Sequence, residues 1–122
     1  SIGLCTPQEI DEMNILNATH LAMKRAINNI QIKPEKILID GKHVPNGLLN
    51  AEAFIGGDKA HQQISAASIY AKYFRDNLMA QYAKIFPVYY FEKNKGYPTQ
   101  MHKEAIIEYG LSKIHRKSFK MK

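Results

Sequence analysis

Asp40 and Asp58 are the residues best placed to do chemistry in this chain, because each follows a short apolar run. Ile37-Leu38-Ile39 leads into Asp40-Gly41, and Ala53-Phe54-Ile55 is closed by Gly56-Gly57-Asp58, so the pattern predicts two strands that both end in an aspartate. Short continuous apolar runs are expected of strands buried on both faces of an α/β sheet, and ligand sites form at the C-terminal ends of such strands. Two carboxylates there can share hard divalent cations such as Mg²⁺ or Mn²⁺, which prefer oxygen ligands and activate water for attack on a phosphodiester. On spacing alone, an aspartate that caps a turn is the commoner arrangement.

Three further groups could touch a polyanion. The segment Ile64-Ser65-Ala66-Ala67-Ser68-Ile69-Tyr70-Ala71-Lys72 reads as a helix whose small residues let it lie close to a sheet, with Ser65, Ser68 and Lys72 at one rim where a phosphate could dock. A serine and lysine stripe is also what the solvated face of any amphipathic helix looks like. Tyr97, between Gly96 and Pro98, could present its ring for stacking on a sugar or base, or simply cover the core. His115-Arg116-Lys117-Ser118-Phe119 sets cationic side chains beside an aromatic one and could grip a phosphate backbone, with a solvated tail as the even alternative. His61 and His102 stand alone, without metal-ligand spacing, and read as surface or capping histidines. Cys5, with no neighbouring base, reads as structural.

Composition limits what these residues can belong to. At 122 residues, 45% hydrophobic and 23% charged, the chain is one compact domain or a piece of one, with enough apolar content for a core. A formal charge of +6 is compatible with a nucleic-acid partner. A single cysteine excludes an intramolecular disulfide and a cysteine zinc cage, and fits a reducing, cytoplasmic home. No apolar run reaches the ~18 residues of a membrane span, and the N-terminus lacks a signal-peptide layout.

The elements that would position the candidates can be read from periodicity and punctuation. Thr6-Pro7-Gln8-Glu9 has the form of a helix start, with threonine as cap, proline in the first turn and glutamate three residues after the cap. A second helix is predicted from about Asn14 to Asn29, burying Leu16, Met23, Ala26, Ile27 and Ile30. After the break at Lys33-Pro34-Glu35 come the two strands, joined by a Pro/Gly/Asn loop from Val44 to Asn50. A long helix follows from Ile64 to about Lys84, with Ile64, Ala67, Ala71, Phe74 and Leu78 on its buried face, and Pro87 stops it. Lys95-Gly96 marks a turn, and Thr99 or a neighbour caps a last helix that ends at Tyr109-Gly110. The tail, about residues 111–122, is basic and predicted to be extended. This order indicates an α/β sheet with helical cover.

Taken together, several of these stretches resemble the ribonuclease HII (type 2 ribonuclease H) family in order and spacing. They are Glu9-Ile10-Asp11 with Asn14-Ile15-Leu16-Asn17-Ala18-Thr19, Ile39-Asp40-Gly41, Gly57-Asp58, Ser65-Ala66-Ala67-Ser68-Ile69-Tyr70-Ala71-Lys72, Arg75-Asp76, Asn94-Lys95-Gly96-Tyr97, and His115 to Phe119. The resemblance covers almost the whole chain. It implies a ribonuclease H-like α/β fold, of which these residues supply the later strands and helices only, as the C-terminal part of a single catalytic domain. It implies an endonuclease that acts on RNA–DNA hybrids or DNA containing ribonucleotides and works as a monomer when intact. Such enzymes hold Mg²⁺ or Mn²⁺ with four carboxylates, and Asp40 and Asp58 match the two later ones. Tyr97 matches a tyrosine that stacks at the RNA-to-DNA junction, while Ser65, Ser68, Lys72 and Arg116 are the implied phosphate contacts. Asp76 is expected to pair with a neighbouring basic group rather than bind metal.

The departures are a missing motif and two altered positions. The family's opening Asp-Glu-Ala-Gly-Arg-Gly strand, with the first two metal ligands, has no counterpart in these 122 residues. The chain alone is therefore expected to be inactive, and the sheet to expose an edge. Asn94 stands where relatives often carry histidine, and Tyr70 where an aliphatic residue is commoner. The rival class is a non-catalytic basic module that binds nucleic acid through backbone charge. A type 3 ribonuclease H is disfavoured by Lys95-Gly96-Tyr97.

Overall fold

The computed structural model describes residues 1–119, so the end of the predicted extended tail, residues 120–122, lies outside the described part. Helix α1 (Pro7–Met13) begins as its sequence dictates: the Thr6 hydroxyl accepts from the Glu9 amide at 3.1 Å and the Glu9 carboxylate accepts from the Thr6 amide at 3.0 Å. Helix α2 (Ile15–Asn28) follows after a single residue. Asn14 makes this joint in a left-handed conformation, φ 74°, its amide closing α1 on Ile10 while its side chain caps α2 at the Asn17 amide, 3.0 Å.

The packed face of α2 is only partly the one its apolar residues predict, with Met23, Ala26 and Ile27 half-buried. Ala18 is its buried residue, whereas Leu16 and Ile30 are exposed. The reason lies in what packs there: the extended segment before α1 runs so close to α2 that a Cβ on Gly3 would stand 1.9 Å from the Ala22 carbonyl oxygen. Alanines at positions 18, 22 and 26 form the ridge that admits this backbone, and Cys5 Sγ donates to the Ala18 carbonyl at 3.1 Å. Glu9 and Arg25 pin α1 to α2 with paired hydrogen bonds, one of them 2.9 Å.

Strands β1 (Ile37–Asp40) and β2 (Ala51–Phe54) are parallel, in register Ile37 with Ala51 through Asp40 with Phe54. Ile39 is buried, and among the described residues each strand keeps one edge without a strand partner. Asp40 ends its strand as expected. Asp58 does not: β2 stops at Phe54, the chain turns at Gly56 with φ 67°, and Asp58 lies in the first turn of α3 (Gly57–Ala60). Glycine is suited to that turn because side chains disfavour the left-handed region.

Helix α4 (Gln62–Ile85) spans the structure. Its start packs against α3 and β1, and its later turns against a 3₁₀ turn (Pro87–Tyr89) and α5 (Phe91–Asn94). Ile64 and Met79, near the two ends, are therefore buried, while Phe74 and Leu78 are half-buried. Ala67 and Ala71, predicted to be buried, are exposed because, among the described residues, no element packs over the middle of α4. Helix α6 (Gln100–Tyr109) starts with Thr99 as cap and stops at Gly110, φ 78°. The main core gathers Met79, Tyr89, Phe91 and Ala105, wrapped by Tyr82, Phe86, Val88 and Ile114, and sits at the far end of α4 from the sheet.

Candidate active site and nucleic-acid interface

Gly57 links the backbone beside Asp58 to the Asp40 carboxylate. The Asp40 carboxylate, at the end of β1, accepts a hydrogen bond from the Gly57 amide at 3.1 Å, and Asp58 is the next residue. This approach requires glycine: a Cβ at position 57 would stand 2.7 Å from Ile64 Cδ1 and 3.3 Å from Phe54 Cβ. Parallel strand pairing, the Gly56 turn and the seating of α3 on α4 thus bring two residues from different elements to one edge of the sheet. Both side chains are exposed, and neither takes part in an ion pair among the described residues. Among the described residues the second carboxylate oxygen of Asp40 takes no hydrogen bond. Among the described residues no group of three or more His, Cys, Asp and Glu side chains is placed to hold a metal ion. Two carboxylates nonetheless fit the donor chemistry of Mg²⁺, which usually keeps several waters and takes one or two carboxylates from the protein.

Along α4, Ser65 is half-buried and Ser68 and Lys72 are exposed, on one face three and four residues apart. Lys72 donates to Asp76 at 3.0 Å, one turn further on, as the sequence led one to expect of Asp76. An exposed pair of this kind is worth little, so Lys72 can exchange its carboxylate partner for a phosphate at small cost. Arg75, three residues on, reaches the Lys95 carbonyl at 3.3 Å, and a Cβ on Gly96 would meet both Arg75 Nη2 and Met79 Cε. Helix α4 is thereby the ruler of the surface. From Ile64, against Gly57, to Arg75, against the 95–97 turn, its axis advances roughly 16 Å.

The Tyr97 turn is built from inside. Asn94, predicted to be a tolerated variant, is buried: its amide nitrogen donates to the Tyr89 carbonyl at 2.7 Å and its amide oxygen accepts from Gly96 at 2.8 Å. Lys95 and Gly96 are left-handed, φ 53° and 90°. Tyr97 is 67% exposed, so it presents its ring outward rather than covering the core. Its carbonyl accepts from Thr99 N–H and from His102, both at 2.8 Å. His102 is not the surface or capping residue its isolation suggested; it is 1% exposed and stands 2.8 Å from His115, Nε2 to Nε2. His61 lies with its ring 4.3 Å from that of Phe54.

The tail is tied back to the first helix. Asp11 accepts from the amides of Lys117 and Ser118, each at 2.9 Å, and from the Ser118 hydroxyl at 2.6 Å. Those hydrogen bonds, that to the Ser118 side chain foremost, hold the Asp11 carboxyl below its usual range. Gln8 adds a bond to the Lys113 carbonyl at 3.3 Å. Arg116, half-buried, lies 3.7 Å above the Phe119 ring, and burial followed by repulsion from Arg75 lowers its pKa. Arg116 is thus packed against Phe119 and close to Arg75.

A model of the family described as ribonuclease HII matches residues 4–122 of this chain. The chain belongs to the ribonuclease HII family. Ribonuclease HII of Acinetobacter baylyi is 49% identical over 120 residues, covering 98% of this chain and 64% of the relative. That of a Marinomonas species is 52% identical over 119 residues, covering 97% and 60%, and that of Alteromonas mediterranea is 49% identical over 120, covering 98% and 63%. The chain spans about three-fifths of the length of these relatives. Its parallel strand pair with helical cover is consistent with part of a ribonuclease H-like fold. Among the described residues no helix is long and apolar enough to cross a membrane.

Sequence reasoning singled out Asp40, Asp58, Ser65, Ser68, Lys72, Tyr97 and Arg116, counted His115 only among the cationic side chains of the tail, and gave no role to Arg75, Asn94, His102 or Asp11. The tertiary structure sets Arg75 and Arg116 near the Tyr97 turn, and sets the two histidines behind it. The only hint available was Asn94 beside Lys95-Gly96, a polar residue next to a left-handed turn.

Proposed function

We propose that this ribonuclease HII family chain is part of the catalytic domain of a divalent-metal-dependent endonuclease. The enzyme cuts the phosphodiester on the 5′ side of a ribonucleotide, in an RNA–DNA hybrid or in DNA, leaving 3′-hydroxyl and 5′-phosphate ends. The observation that carries the reading is the Gly57 amide bound to Asp40 at the end of β1, with Asp58 the next residue along the chain. Asp40 and Asp58 would hold Mg²⁺ or Mn²⁺, which when bound supplies Lewis-acid activation of water and charge neutralisation at the phosphodiester. The Gly57 amide orients one Asp40 oxygen and leaves the other for the cation. Ser65, Ser68 and Lys72 contact phosphates along α4, Arg75 and Arg116 hold the backbone further on, and Tyr97 stacks on the sugar at the junction.

The test is cleavage of an end-labelled DNA duplex with one ribonucleotide, in Mg²⁺ or Mn²⁺. The 122-residue chain is compared with the same chain joined to a segment carrying the family's Asp-Glu-Ala-Gly-Arg-Gly strand, each with and without Asp40→Asn. We expect cutting only by the joined protein, and a loss of at least about 100-fold in Asp40→Asn, since that substitution removes an oxygen ligand. Cleavage that survives chelator or Asp40→Asn sinks the metal-site reading. Binding that weakens steeply with salt and ignores Asp40, without any cleavage, supports a basic binding module instead.

A further inference from the structure

Two histidines with no part in the chemistry just described meet beside the main core: His102 is 1% exposed and His115 is half-buried. His102 projects from α6 into an apolar cage, its ring centroid 6.4 Å from Tyr89 and 5.5 Å from Phe91, and His115 fills the same cage at 4.9 and 5.6 Å. Burying two imidazoles is costly unless their nitrogens are bonded. All four are: His102 Nδ1 to the Tyr97 carbonyl at 2.8 Å, Nε2 to Nε2 at 2.8 Å, and His115 Nδ1 to the Ser112 amide at 2.9 Å and hydroxyl at 2.7 Å.

The partners dictate where the protons sit. A carbonyl oxygen can only accept, so His102 Nδ1 carries a hydrogen and donates it to Tyr97. A backbone amide can only donate, so His115 Nδ1 is bare and accepts from Ser112. In the neutral tautomers this leaves His115 Nε2–H donating to a bare His102 Nε2. The two ends, fixed independently, give the middle bond the same direction. A second proton on either ring would set N–H against N–H. Burial first, then the facing His102, accordingly holds the His115 pKa at about 4. Tyr89, whose ring lies against both imidazoles, turns its hydroxyl to donate to the Gly110 carbonyl at 2.8 Å.

We propose that His102 and His115 are positioning residues for nucleic-acid binding: a directed imidazole pair that clamps the Tyr97 backbone and couples it to the segment carrying Arg116. The proposal rests on the reading of Tyr97 and Arg116 as substrate contacts. Tyr97 N–H donates to the Asn94 carbonyl at 2.9 Å, so with His102 on its carbonyl the residue is held on both sides while its ring stays in solvent. At the other end His115 fixes Ser112 and immediately precedes Arg116. The hydrogen-bonded line from the Tyr97 backbone thus ends at the residue next to Arg116, linking the two separate segments of chain that carry the stacking ring and the phosphate-binding guanidinium. Holding both before substrate arrives removes the ordering cost from the binding step.

The experiment measures affinity of the full 122-residue chain, in chelator, for a fluorescent DNA duplex carrying one ribonucleotide. The variants are Tyr97→Ala, His102→Leu, His102→Asn and the double variant Tyr97→Ala with His102→Leu. We expect Tyr97→Ala and His102→Leu each to weaken binding about tenfold, the scale of one lost stacking contact. His102→Asn, which keeps an N–H near the Nδ1 position, stays within about threefold of wild type. The double variant is no weaker than Tyr97→Ala, because a residue that acts only through Tyr97 has nothing left to position. Equal losses from His102→Leu with and without Tyr97, or no rescue by asparagine, overturn the proposal by showing a merely structural role. If Tyr97→Ala binds like wild type, the substrate reading of Tyr97 fails and the positioning role falls with it. If Tyr97→Ala is weak and His102→Leu normal, the positioning role alone is lost. Should His102→Leu not fold, long-range ¹H–¹⁵N spectra of the unmodified chain decide: Nδ1–H at His102 with Nε2–H at His115 supports the clamp, and the opposite tautomers refute it.

Discussion

Gly57 shows how one residue can govern a site without touching ligand. Its amide holds Asp40, and the space a side chain would need is already filled by Ile64 and Phe54. Gly57→Ala should therefore destabilise the fold by about 1–3 kcal/mol, as overpacking does, and displace Asp40 from Asp58. Urea unfolding would show the lower midpoint, and adding Ile64→Val should recover part of it, because the closest contact is the Ile64 Cδ1 atom. Acid acts at two other residues. His115 stays neutral when folded down to about pH 4 but takes a proton near its ordinary 6.5 when unfolded, so the unfolded chain binds more protons between those values. Stability from this group is complete above 6.5 and lost as pH falls to about 4. Glu9, held at about 2 chiefly by its hydrogen bonds to Arg25, contributes stability above 4.5 that disappears as pH falls through about 2. Melting temperature against pH should show the first loss vanish in His115→Gln and the second in Arg25→Ala.

Among elements, the α1–α2 corner and the tail it holds behave as one unit. Asn14 serves both helices, ending α1 and capping α2 from a left-handed backbone. Asn14→Ala loses the cap and must adopt a conformation alanine resists, for a combined cost of about 1–3 kcal/mol. Asn14→Gly should recover much of that, since glycine accepts the conformation and caps nearly as well. Thermal melts followed by circular dichroism would rank wild type above glycine above alanine; an alanine variant equal to wild type would contradict this account. Because Asp11 on α1 anchors Lys117 and Ser118, the corner also sets where Arg116 lies. Strands and α4 divide the remaining work: the sheet edge gathers carboxylates, and α4 fixes their distance from the Tyr97 turn.

For the whole molecule, surface is the telling quantity. A compact monomer of 13.9 kDa exposes about 6,700 Å², whereas this chain exposes 8980 Å². Apolar side chains account for part of the excess, with Leu49 98%, Ile107 85% and Ile55 82% exposed. Ile55 directly follows β2, beside a sheet of two strands, so apolar surface lies open next to the candidate metal site. Joining the family's Asp-Glu-containing strand should bury part of it and raise the melting temperature by about 5 °C or more, the shift that roughly 1 kcal/mol gives a domain of this size. An unchanged melting temperature would show that this surface is not where that strand packs.

What the sequence determined by itself was local or carried by motif. Thr6 and Thr99 capped their helices, Pro87 and Gly110 stopped theirs, and Asp40 ended its strand, because each of these outcomes depends on interactions within a few residues. The ordered motifs also pointed to the ribonuclease HII family, whose model matches residues 4–122. Tertiary structure decided what depends on neighbours far along the chain. Periodicity placed Leu16, Ala67 and Ala71 inside, but burial needs a covering element, and among the described residues none covers them. Asp58 moved from a strand end into a helix because Gly56 turned the chain one step earlier. The His102–His115 pair and the Asp11 anchor were invisible because their partners lie 13 and 106 residues away in patterns that no periodicity encodes. A hydrogen bond depends on two groups meeting in space, and only the folded chain brings these together.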